Sequence, residues 1–354
     1  EQPSLLFAVI KHRCRHVAAP LSVTTVVKER TRQSKFGGPR NPRKDALEHL
    51  RLNTDGCGQI DFSLLDHNGA ILIADRTDIG NRNAVVDVRG NRVYRAIGGS
   101  QCGIAVGEQA LIVGIRKSGI INTGVLDLVA KEIRAGMSTL EIDKLVYEYT
   151  RDHGAIPACL GYEGFPKSCC TSVNEVVCHG IPSEYEILEE GDIINVDCTT
   201  ILNGYYADAS RMFIIGETSP EKKKLVDVAK ECLEIGMAAA KPFGFVGDIG
   251  NAVENCVKGA GFSVVRTYVG HGIGAELHED PEVPNFGTAG RGVRLYPGMT
   301  IAIEPMVNAG GHTVRVLADD WTVVTVDGSL SAHYENTVAI TAGGPESLTD
   351  VGDG

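Results

Sequence analysis

Apolar residues recur at three- and four-residue intervals between residues 120 and 240, and this spacing predicts amphipathic helices. The first predicted helix has its apolar positions at Val125, Leu126, Leu128, Val129 and Ile133. The second begins after Ser138, because Ser138 and Glu141 have the spacing of a capping box, and Gly154 is suited to end it. The third begins at Ser219-Pro220, since proline loses no hydrogen bond in the first turn of a helix.

The pattern is different before residue 103. Short apolar runs at 60–65, 70–74 and 84–88 are separated by Asn-Gly and Gly-Asn turn signals, which is typical of β-strands. The segment 35–44 (KFGGPRNPRK) has the glycine and proline content of a linker. We therefore expect a basic N-terminal extension at residues 1–102, with a small β module in it, followed by the main domain at residues 103–350.

Strand-like residues on both sides of Asn203-Gly204 predict a β-hairpin. If these two residues form the turn, the numbers of facing residues sum to 407, so Asp197 faces Ser210 and Asp208 lies two residues from Ser210. The two aspartates then share one face, roughly 7–8 Å apart at the backbone. Their charges would repel each other unless a cation lay between them, and hard cations prefer oxygen ligands. A solvent-exposed acidic face is the alternative at this point.

A constant offset of 107 residues relates two parts of the main domain. It places Ile142 on Ile249, Val146 on Val253, Gly154 on Gly261, Gly191 on Gly298, Ile194 on Ile301 and Val196 on Ile303. The same offset places Asp197 on Glu304. Two similar α/β halves that each give a carboxylate to a shared centre explain these matches better than chance does.

Three further residues fit the same centre. His271 lies among glycines, in Gly270-His-Gly-Ile-Gly274, where a backbone can approach a ligand closely. Glu304 and Glu335 lie within apolar strand-like runs, where an acid is costly unless it is paired or bound to metal. Four acids and one histidine at strand and loop positions favour a two-metal site over separate buried polar residues.

Composition and charge narrow the class of protein. No apolar run approaches the ~18 residues of a membrane helix, so no membrane association is expected. The ten cysteines include no CxxC pair, which favours free thiols over a zinc ribbon or a disulfide framework. Residues 1–100 contain 16 Lys/Arg and 10 Asp/Glu, which gives this segment a net charge of +6. Because the whole chain has a net charge of −11, the remaining residues have a net charge of −17. Such basic segments often contact nucleic acid, and a solvated tail without a partner is the alternative.

With these motifs the sequence resembles the type I methionine aminopeptidases. The resemblance rests on 161–182 (GYEGFPKSCCTSVNEVVCHGIP), 195–199 (NVDCT), 204–213 (GYYADASRMF), 269–287 (VGHGIGAELHEDPEVPNFG), 301–307 (IAIEPMV) and 321–337 (WTVVTVDGSLSAHYENT). It covers roughly residues 103–350 and implies that these form the catalytic domain. The implied fold is the α/β pita-bread fold, with two pseudo-symmetric halves and a curved antiparallel sheet around a dinuclear metal centre. The implied activity is removal of the initiator methionine from nascent proteins by a metalloaminopeptidase.

The resemblance also implies roles for individual residues. The metal ligands would be Asp197, Asp208, His271, Glu304 and Glu335, with Asp208 and Glu335 bridging two divalent ions. Asp197 would hold one of the ions, and His271 with Glu304 would hold the other. The catalytic residues would be His179, His278 and Glu304. The substrate, with its methionine side chain, would contact Cys159, Tyr162, Phe165, Cys170, His179, Leu277, His278 and Trp321.

Three positions depart from the choices that are frequent in this family. Phe165 replaces a common tyrosine and Leu277 a common phenylalanine, and both changes keep the pocket apolar. His333 stands where glutamine is common, two residues from Glu335 and so on the same strand face. It could contact the metal centre from outside the ligand set, but a neutral substitution is the favoured interpretation.

The rest of the functional interpretation follows from the family. The metal ions would be Co, Mn, Fe or Zn, and the single histidine among carboxylates is harder than a typical structural zinc site. The partners would be nascent polypeptide N-termini and, through the basic arm, the ribosome. We expect a cytoplasmic monomer, or an organellar protein if residues 1–44, which are Arg-rich and acid-poor, are a transit peptide.

One alternative function is that of an X-Pro-directed pita-bread peptidase, of the aminopeptidase P or prolidase type. An N-terminal segment before the catalytic domain would suit that interpretation. Cys178-His-Gly-Ile-Pro182 and Trp321 favour the methionine enzymes instead. A catalytically inactive binding protein of the same fold is disfavoured, because such relatives lose metal ligands and all five are present here.

Overall fold

The structure is a computed structural model, and it describes residues 6–13, 22–27, 59–65, 71–72 and 105–349. Its contacts divide the chain into two units, residues 1–106 and residues 107–354. The described strands of the first unit are β1 (Leu6–Arg13), β2 (Ser22–Val27), β3 (Gln59–Leu65) and β4 (Ile71–Leu72). They form an antiparallel sheet in the order β2-β1-β3-β4. β3 and β4 coincide with two of the predicted strand runs, whereas the run at 84–88 lies outside the described residues.

Four long helices lie in the second unit, and the first of them begins two residues before the unit boundary. They are α1 (Ala105–Glu132), α2 (Thr139–Asp152), α3 (Pro220–Ala239) and α4 (Val246–Ala260). The predicted capping box is confirmed, because Ser138 accepts from the backbone of Glu141 while the Glu141 side chain accepts from the backbone of Ser138. Ser219 caps α3 with proline in its first turn. After α2, Gly154 has a φ of 75°, a conformation that glycine adopts at little cost.

A nine-stranded sheet is the scaffold of this unit, in the order β12-β11-β13-β18-β9-β8-β5, with β19 on β18 and β6 on β8. Its strands are β5 (Ile156–Pro157), β6 (Cys170–Val173), β8 (Ile193–Leu202), β9 (Tyr205–Ile214), β11 (Gly270–Gly272), β12 (Glu279–Val283), β13 (Thr300–Ile303), β18 (Glu335–Thr341) and β19 (Gly344–Ser347). Two small sheets contain β7 (Val176–Cys178), β10 (Ser263–Val264), β14 (Met306–Asn308), β15 (Val314–Val316), β16 (Val323–Thr325) and β17 (Ser331–His333).

The predicted hairpin and its register are confirmed. β8 and β9 pair in antiparallel fashion from Ile193↔Ile214 to Leu202↔Tyr205, so Asn203 and Gly204 form the turn. Asp197 faces Ser210, as the sum of 407 requires. Both turn residues have a positive φ, 54° and 84°, which is the conformation expected of a two-residue hairpin turn.

The two halves of the repeat are also present in the structure. α2 begins at Thr139 and α4 at Val246, and β8 begins at Ile193 and β13 at Thr300, so both pairs differ by 107 residues. Each half packs two helices on the sheet through its own core. Residues of α1 and α2 pack with Ile194, Val196 and Cys198, and residues of α3 and α4 pack with Ile301 and Ile303. These cores bury the helical side of the sheet.

A search of the described residues finds no helix that is long and apolar enough to cross a membrane.

All seven cysteines among the described residues are free thiols, in agreement with the interpretation of the cysteine spacing.

Candidate metal centre

Five neighbouring strands of the large sheet each bring one predicted ligand to the same surface. His271 lies on β11, Glu304 directly after β13, Glu335 at the start of β18, Asp208 on β9 and Asp197 on β8. Ser210 faces Asp197 on one side and Glu335 on the other, so these three residues share one row across the sheet. Asp208 lies two residues from Ser210 and therefore projects from the same face.

The closest group within this surface is Asp208, His271 and Glu335. Each of the three offers a ligand atom within 4.8 Å of the others, and all three are buried. Glu304 is also buried, and its Oε1 lies 3.5 Å from Nε2 of His271. Asp197 is partly exposed at the other end of the row. The structure thus brings all five predicted ligands to one face, with three of them in direct reach of a single ion.

Burial makes the anionic forms of these acids costly. Loss of solvent raises the pKa of Asp208, Glu304 and Glu335 well above the usual carboxyl range. The pKa of Asp197 is raised in the same way. Repulsion adds to burial, because Asp197 raises the pKa of Asp208 and Asp208 raises that of Glu335. A bound cation would reverse both causes, since its positive charge favours the carboxylate forms.

The hydrogen bonds at the site fit the residues to divalent metal. Oε1 of Glu335 is buried without a hydrogen-bond partner, which is costly for a carboxylate unless a cation fills the place of the missing donor. Nδ1 of His271 lies 2.9 Å from the carbonyl oxygen of Gly272 and donates to it. This bond directs the lone pair of Nε2 towards Glu304 and the other acids, the arrangement usual for a metal-binding histidine.

Two threonines that sequence reasoning missed hold Asp208. Thr199 Oγ1 donates to Asp208 Oδ1 at 2.9 Å, while the Thr337 hydroxyl accepts from the backbone nitrogen of Asp208 and donates to its carbonyl oxygen. A signal for Thr199 was available, because the sum of 407 places it opposite Asp208. Thr337 belongs to a strand 129 residues away, and no local pattern connects it with Asp208.

An apolar cluster of predicted pocket residues adjoins the acids. Cys159, Phe165 and Cys170 are buried in one cluster, with Ile181 and Trp321 packed against it. The Phe165 and Trp321 rings meet edge to face at 5.1 Å between centroids. Cys170 on β6 is the register partner of Asp197 on β8, so the pocket and the acid row share a strand pair. Four predicted pocket residues therefore lie together, and Ile181 is an addition that the sequence interpretation missed.

The remaining predicted substrate contacts lie around this pocket. The Tyr162 hydroxyl lies 2.6 Å from Nδ1 of His278, and the His278 ring lies 4.3 Å from that of His271. The ring of His179 lies 6.2 Å from that of Trp321. Burial is the main cause that lowers the pKa of His179, to about 4, so this ring is neutral near pH 7.

Leu277 is buried in the loop that carries His278 but is not part of the cluster around Cys159. Tyr268, which sequence reasoning missed, packs edge to face on His179 at 5.5 Å between ring centroids.

The two pocket thiols share a hydrogen bond with each other. The bond from Cys170 is the main cause that lowers the pKa of Cys159, to about 7, and a contact with Thr199 Oγ1 at 3.6 Å acts in the same direction. The pKa of Cys170 is raised well above its usual value, because its proton is held between the two sulfur atoms and the site is buried. The pair therefore releases its first proton easily and its second with difficulty.

Comparison with known proteins gives consistent results. The family model of metallopeptidase family M24 matches residues 113–342. Methionine aminopeptidase A from Synechocystis sp. is 50% identical over 235 residues, which are 66% of this chain and 93% of that protein. The crystal structure of methionine aminopeptidase from Thermotoga maritima aligns with a TM-score of 0.67 and 44% identity, over 68% of this chain and 97% of that one.

A more distant neighbour shares the fold alone. Prolidase from Pyrococcus furiosus aligns with a TM-score of 0.55 at 21% identity, over 68% of this chain and 64% of that one. Taken with the curved sheet and the two related halves, these alignments confirm the predicted pita-bread fold.

Proposed function

The chain belongs to metallopeptidase family M24, and on this premise we propose that it is a methionine aminopeptidase that removes the initiator methionine from nascent polypeptides. One observation supports the proposal: five predicted metal ligands come together on one face of the sheet, beside an apolar cluster that contains two thiols. An unbranched thioether fits such a pocket, since sulfur contacts aromatic edges favourably. The pocket would then select methionine as the first residue of the substrate, and the acids would hold the metal ions that hydrolyse the peptide bond.

The proposal assigns the metal sites to Asp197, Asp208, His271, Glu304 and Glu335, with Asp208 and Glu335 shared between two ions. Divalent ions bound there would polarise the substrate carbonyl and make water a nucleophile at neutral pH. Oxygen ligands predominate, so Mn, Fe or Co suit the set, and Zn is the further candidate. Thr199 and Thr337 keep Asp208 in place for this role.

The remaining steps fall to residues of the chain. Glu304, whose pKa burial raises well above the usual carboxyl value, takes the proton of the attacking water and delivers it to the leaving amine. His278, oriented by the Tyr162 hydroxyl, stabilises the negative charge that develops on the carbonyl oxygen. His179 positions the scissile amide from the side of Trp321. Cys159, Phe165, Cys170, Leu277 and Trp321 hold the methionine side chain.

A peptide assay tests this function directly. The purified protein is assayed with Mn²⁺ or Co²⁺, and then with chelator, on Met-Ala-Ser and on Ala-Pro-Ser. We expect metal-dependent release of methionine from the first peptide only. Cleavage of Ala-Pro-Ser alone would identify the protein as an X-Pro-directed peptidase, although its similarity to that group is distant. The assignments of the methionine pocket would then be wrong. No cleavage of either peptide by the metal-loaded protein would contradict the proposal.

Matched variants connect the activity to the site. Asp208→Asn keeps the size of the side chain but removes the shared charge, so we expect loss of both bound metal and activity. Asp227→Asn changes an exposed aspartate on α3 that forms an ion pair with Lys223, and it should leave both unchanged. Full activity of Asp208→Asn at ordinary metal concentration would overturn the shared-ligand assignment.

The proposal extends to partners through the basic N-terminal segment. The net charge of +6 over residues 1–100 favours a contact with ribosomal RNA where nascent chains emerge. Most of this segment lies outside the described residues, and the domain division at residue 102 and the monomeric state are proposed on the sequence alone. Salt-sensitive co-sedimentation of the full chain with ribosomes would support the contact, and absence from the ribosome pellet at low salt would contradict it.

A further inference from the structure

His333 is a buried histidine next to the acid row that the proposed mechanism does not use. It ends β17 and lies opposite Met306 of β14. Its side chain is 2% exposed, and neither ring nitrogen has a hydrogen-bond partner. A buried imidazole without partners is less favourable than an apolar side chain of the same size. Packing alone therefore does not account for the choice of histidine at this position.

The ring lies beside Glu304, which has an imidazole on each of its two carboxylate oxygens. Oε1 is 3.5 Å from Nε2 of His271, and Oε2 is 3.8 Å from Nε2 of His333. The two imidazoles differ in what they can offer. His271 uses its Nδ1 proton for the Gly272 carbonyl, so in its neutral form Nε2 has no proton to donate and is a metal ligand. Within residues 105–349, no hydrogen bond to either carboxylate oxygen of Glu304 is formed, and the His333 ring lies 3.8 Å from Oε2 as a candidate donor.

We propose that His333 is a positioning residue for Glu304, whose Nε2–H donates to Glu304 Oε2 while Oε1 faces the metal ion shared with His271. The inference rests on the proposed function, because it gives Glu304 the roles of ligand and proton carrier. Closing the gap to hydrogen-bond length takes a side-chain shift of about 0.8 Å. A carboxylate that holds a metal through one oxygen is usually held by a donor on the other, and this second contact fixes its orientation.

An imidazole carries at least one N–H in each of its neutral tautomers and in its protonated form. Donation to Glu304 therefore requires two things: the ring must be held beside Oε2, and in the neutral form the proton must be on Nε2 and not on Nδ1. Strand pairing with β14 at Met306 and the Asn195 amide, which donates to the backbone oxygen of His333 at 2.7 Å, hold this part of β17 in place.

Three variants separate donation from packing. His333→Gln keeps an N–H at a similar reach, His333→Asn keeps the amide but is one methylene shorter, and His333→Leu keeps the bulk without a donor. Met306→Leu, on the facing strand, is the control for disturbed packing at the same place. The two measurements are the Kd of Mn²⁺ for the metal-free protein, by calorimetry, and kcat and KM on Met-Ala-Ser.

We expect His333→Leu and His333→Asn to weaken Mn²⁺ binding about tenfold or more and to lower kcat at saturating metal more than they change KM. His333→Gln should stay within about threefold of wild type, and Met306→Leu should bind Mn²⁺ normally. Wild-type affinity and kcat in His333→Leu would overturn the proposal. So would a loss in His333→Gln equal to that in His333→Leu, because the ring would then act as a metal ligand.

If His333→Leu does not fold, the Gln and Asn pair decides the question, since both are polar and differ in reach. The affinity measurement needs no peptide, so it separates failure of this inference from failure of the proposed function. Wild-type protein that binds Mn²⁺ but releases no methionine would contradict the function, while the Kd comparison would still test the role of His333.

Discussion

At the scale of single residues, burial determines how the site behaves. Asp208 and Glu335 lie within reach of each other in a place where water is excluded, and burial and mutual repulsion both raise their pKa values. Such a group is unfavourable by itself and becomes favourable with a cation, so the side chains that destabilise the metal-free protein are the ones that we propose as its metal site. The Cys159 thiol behaves differently, because there a hydrogen bond from Cys170 lowers the pKa by more than burial raises it.

The Cys159–Cys170 pair leads to a prediction about thiol reactivity. The thiolate is the reactive form, so alkylation of Cys159 by iodoacetamide in metal-free protein should follow a pKa of about 7. Cys170→Ala removes the largest cause of the lowering, and the profile should move to higher pH. Peptide mass spectrometry after alkylation across pH 6–10 measures the shift.

Cys232 on α3 is the internal control for this measurement. Burial raises the pKa of its thiol well above the usual range, so it should stay unmodified through most of the same pH range. An unchanged Cys159 profile in Cys170→Ala would show that the thiol pair does not set the reactivity.

At the scale of elements, each half of the repeat supports its strand with a helix pair, and close backbone contacts fix where the helices lie. α4 comes so close to the loop before β13 that a Cβ on Gly250 would collide with the backbone oxygens of Pro284 and Phe286. Gly259, on the same helix, has no atom within 4 Å of the corresponding position. The close approach of the loop therefore requires glycine at position 250, whereas the space around position 259 would admit a larger residue.

This contrast predicts opposite effects of the same substitution. Gly250→Ala should lower the free energy of unfolding by about 1–3 kcal/mol, because the backbone of the loop must move to admit the methyl group. Gly259→Ala should raise it by about 0.5–1 kcal/mol, since alanine favours the helix and restricts the unfolded chain. Urea denaturation of both variants measures the two changes, and equal effects at the two positions would contradict the close approach.

At the scale of the whole molecule, the large sheet of the second unit brings four carboxylic acids together at one centre. Asp197, Asp208 and Glu335 lie on three different strands and Glu304 directly follows a fourth, so the centre exists only when these strands are paired. Metal binding at the proposed site would therefore be coupled to folding of the unit.

This coupling predicts how stability depends on pH. The four carboxyls have folded-state pKa values above the unfolded values of about 4, so the folded chain binds more protons and metal-free stability falls as pH rises above about 4. Metal ions displace these protons, so the gain in stability from metal should increase over the same range. Calorimetric Tm at pH 5, 6.5 and 8, with Mn²⁺ and with chelator, measures the gain.

The buried histidines act in the opposite direction at low pH. Burial lowers the pKa of His271 to about 4, so its contribution is present above the unfolded value of about 6.5 and is lost as pH falls. The comparison at each pH between metal-loaded and metal-free protein is therefore the decisive one. A Tm gain that is the same at pH 5 and pH 8 would show that the acids do not change protonation when metal binds.

Much of this protein follows from its sequence, because local rules govern those features. The capping box at Ser138 and the Asn203-Gly204 turn each involve a few neighbouring residues, and the turn alone fixed the pairing of Asp197 with Ser210. The offset of 107 predicted two halves because each half repeats the same helix and strand starts. The family resemblance then supplied the ligand set and the pocket residues.

Other features depend on contacts between distant parts of the chain, which no local pattern contains. Sheet order decides that the five proposed ligands lie on or directly after neighbouring strands, and it brings Thr337 to Asp208 across 129 residues. Loop packing decides that Ile181 joins the pocket and that Tyr268 packs on His179. The sequence interpretation favoured a neutral substitution at His333 over a contact with the metal centre from outside the ligand set, and the fold places its ring 3.8 Å from Glu304. Local propensity determines the elements, but burial and charge at the centre are set by the neighbours that tertiary structure provides.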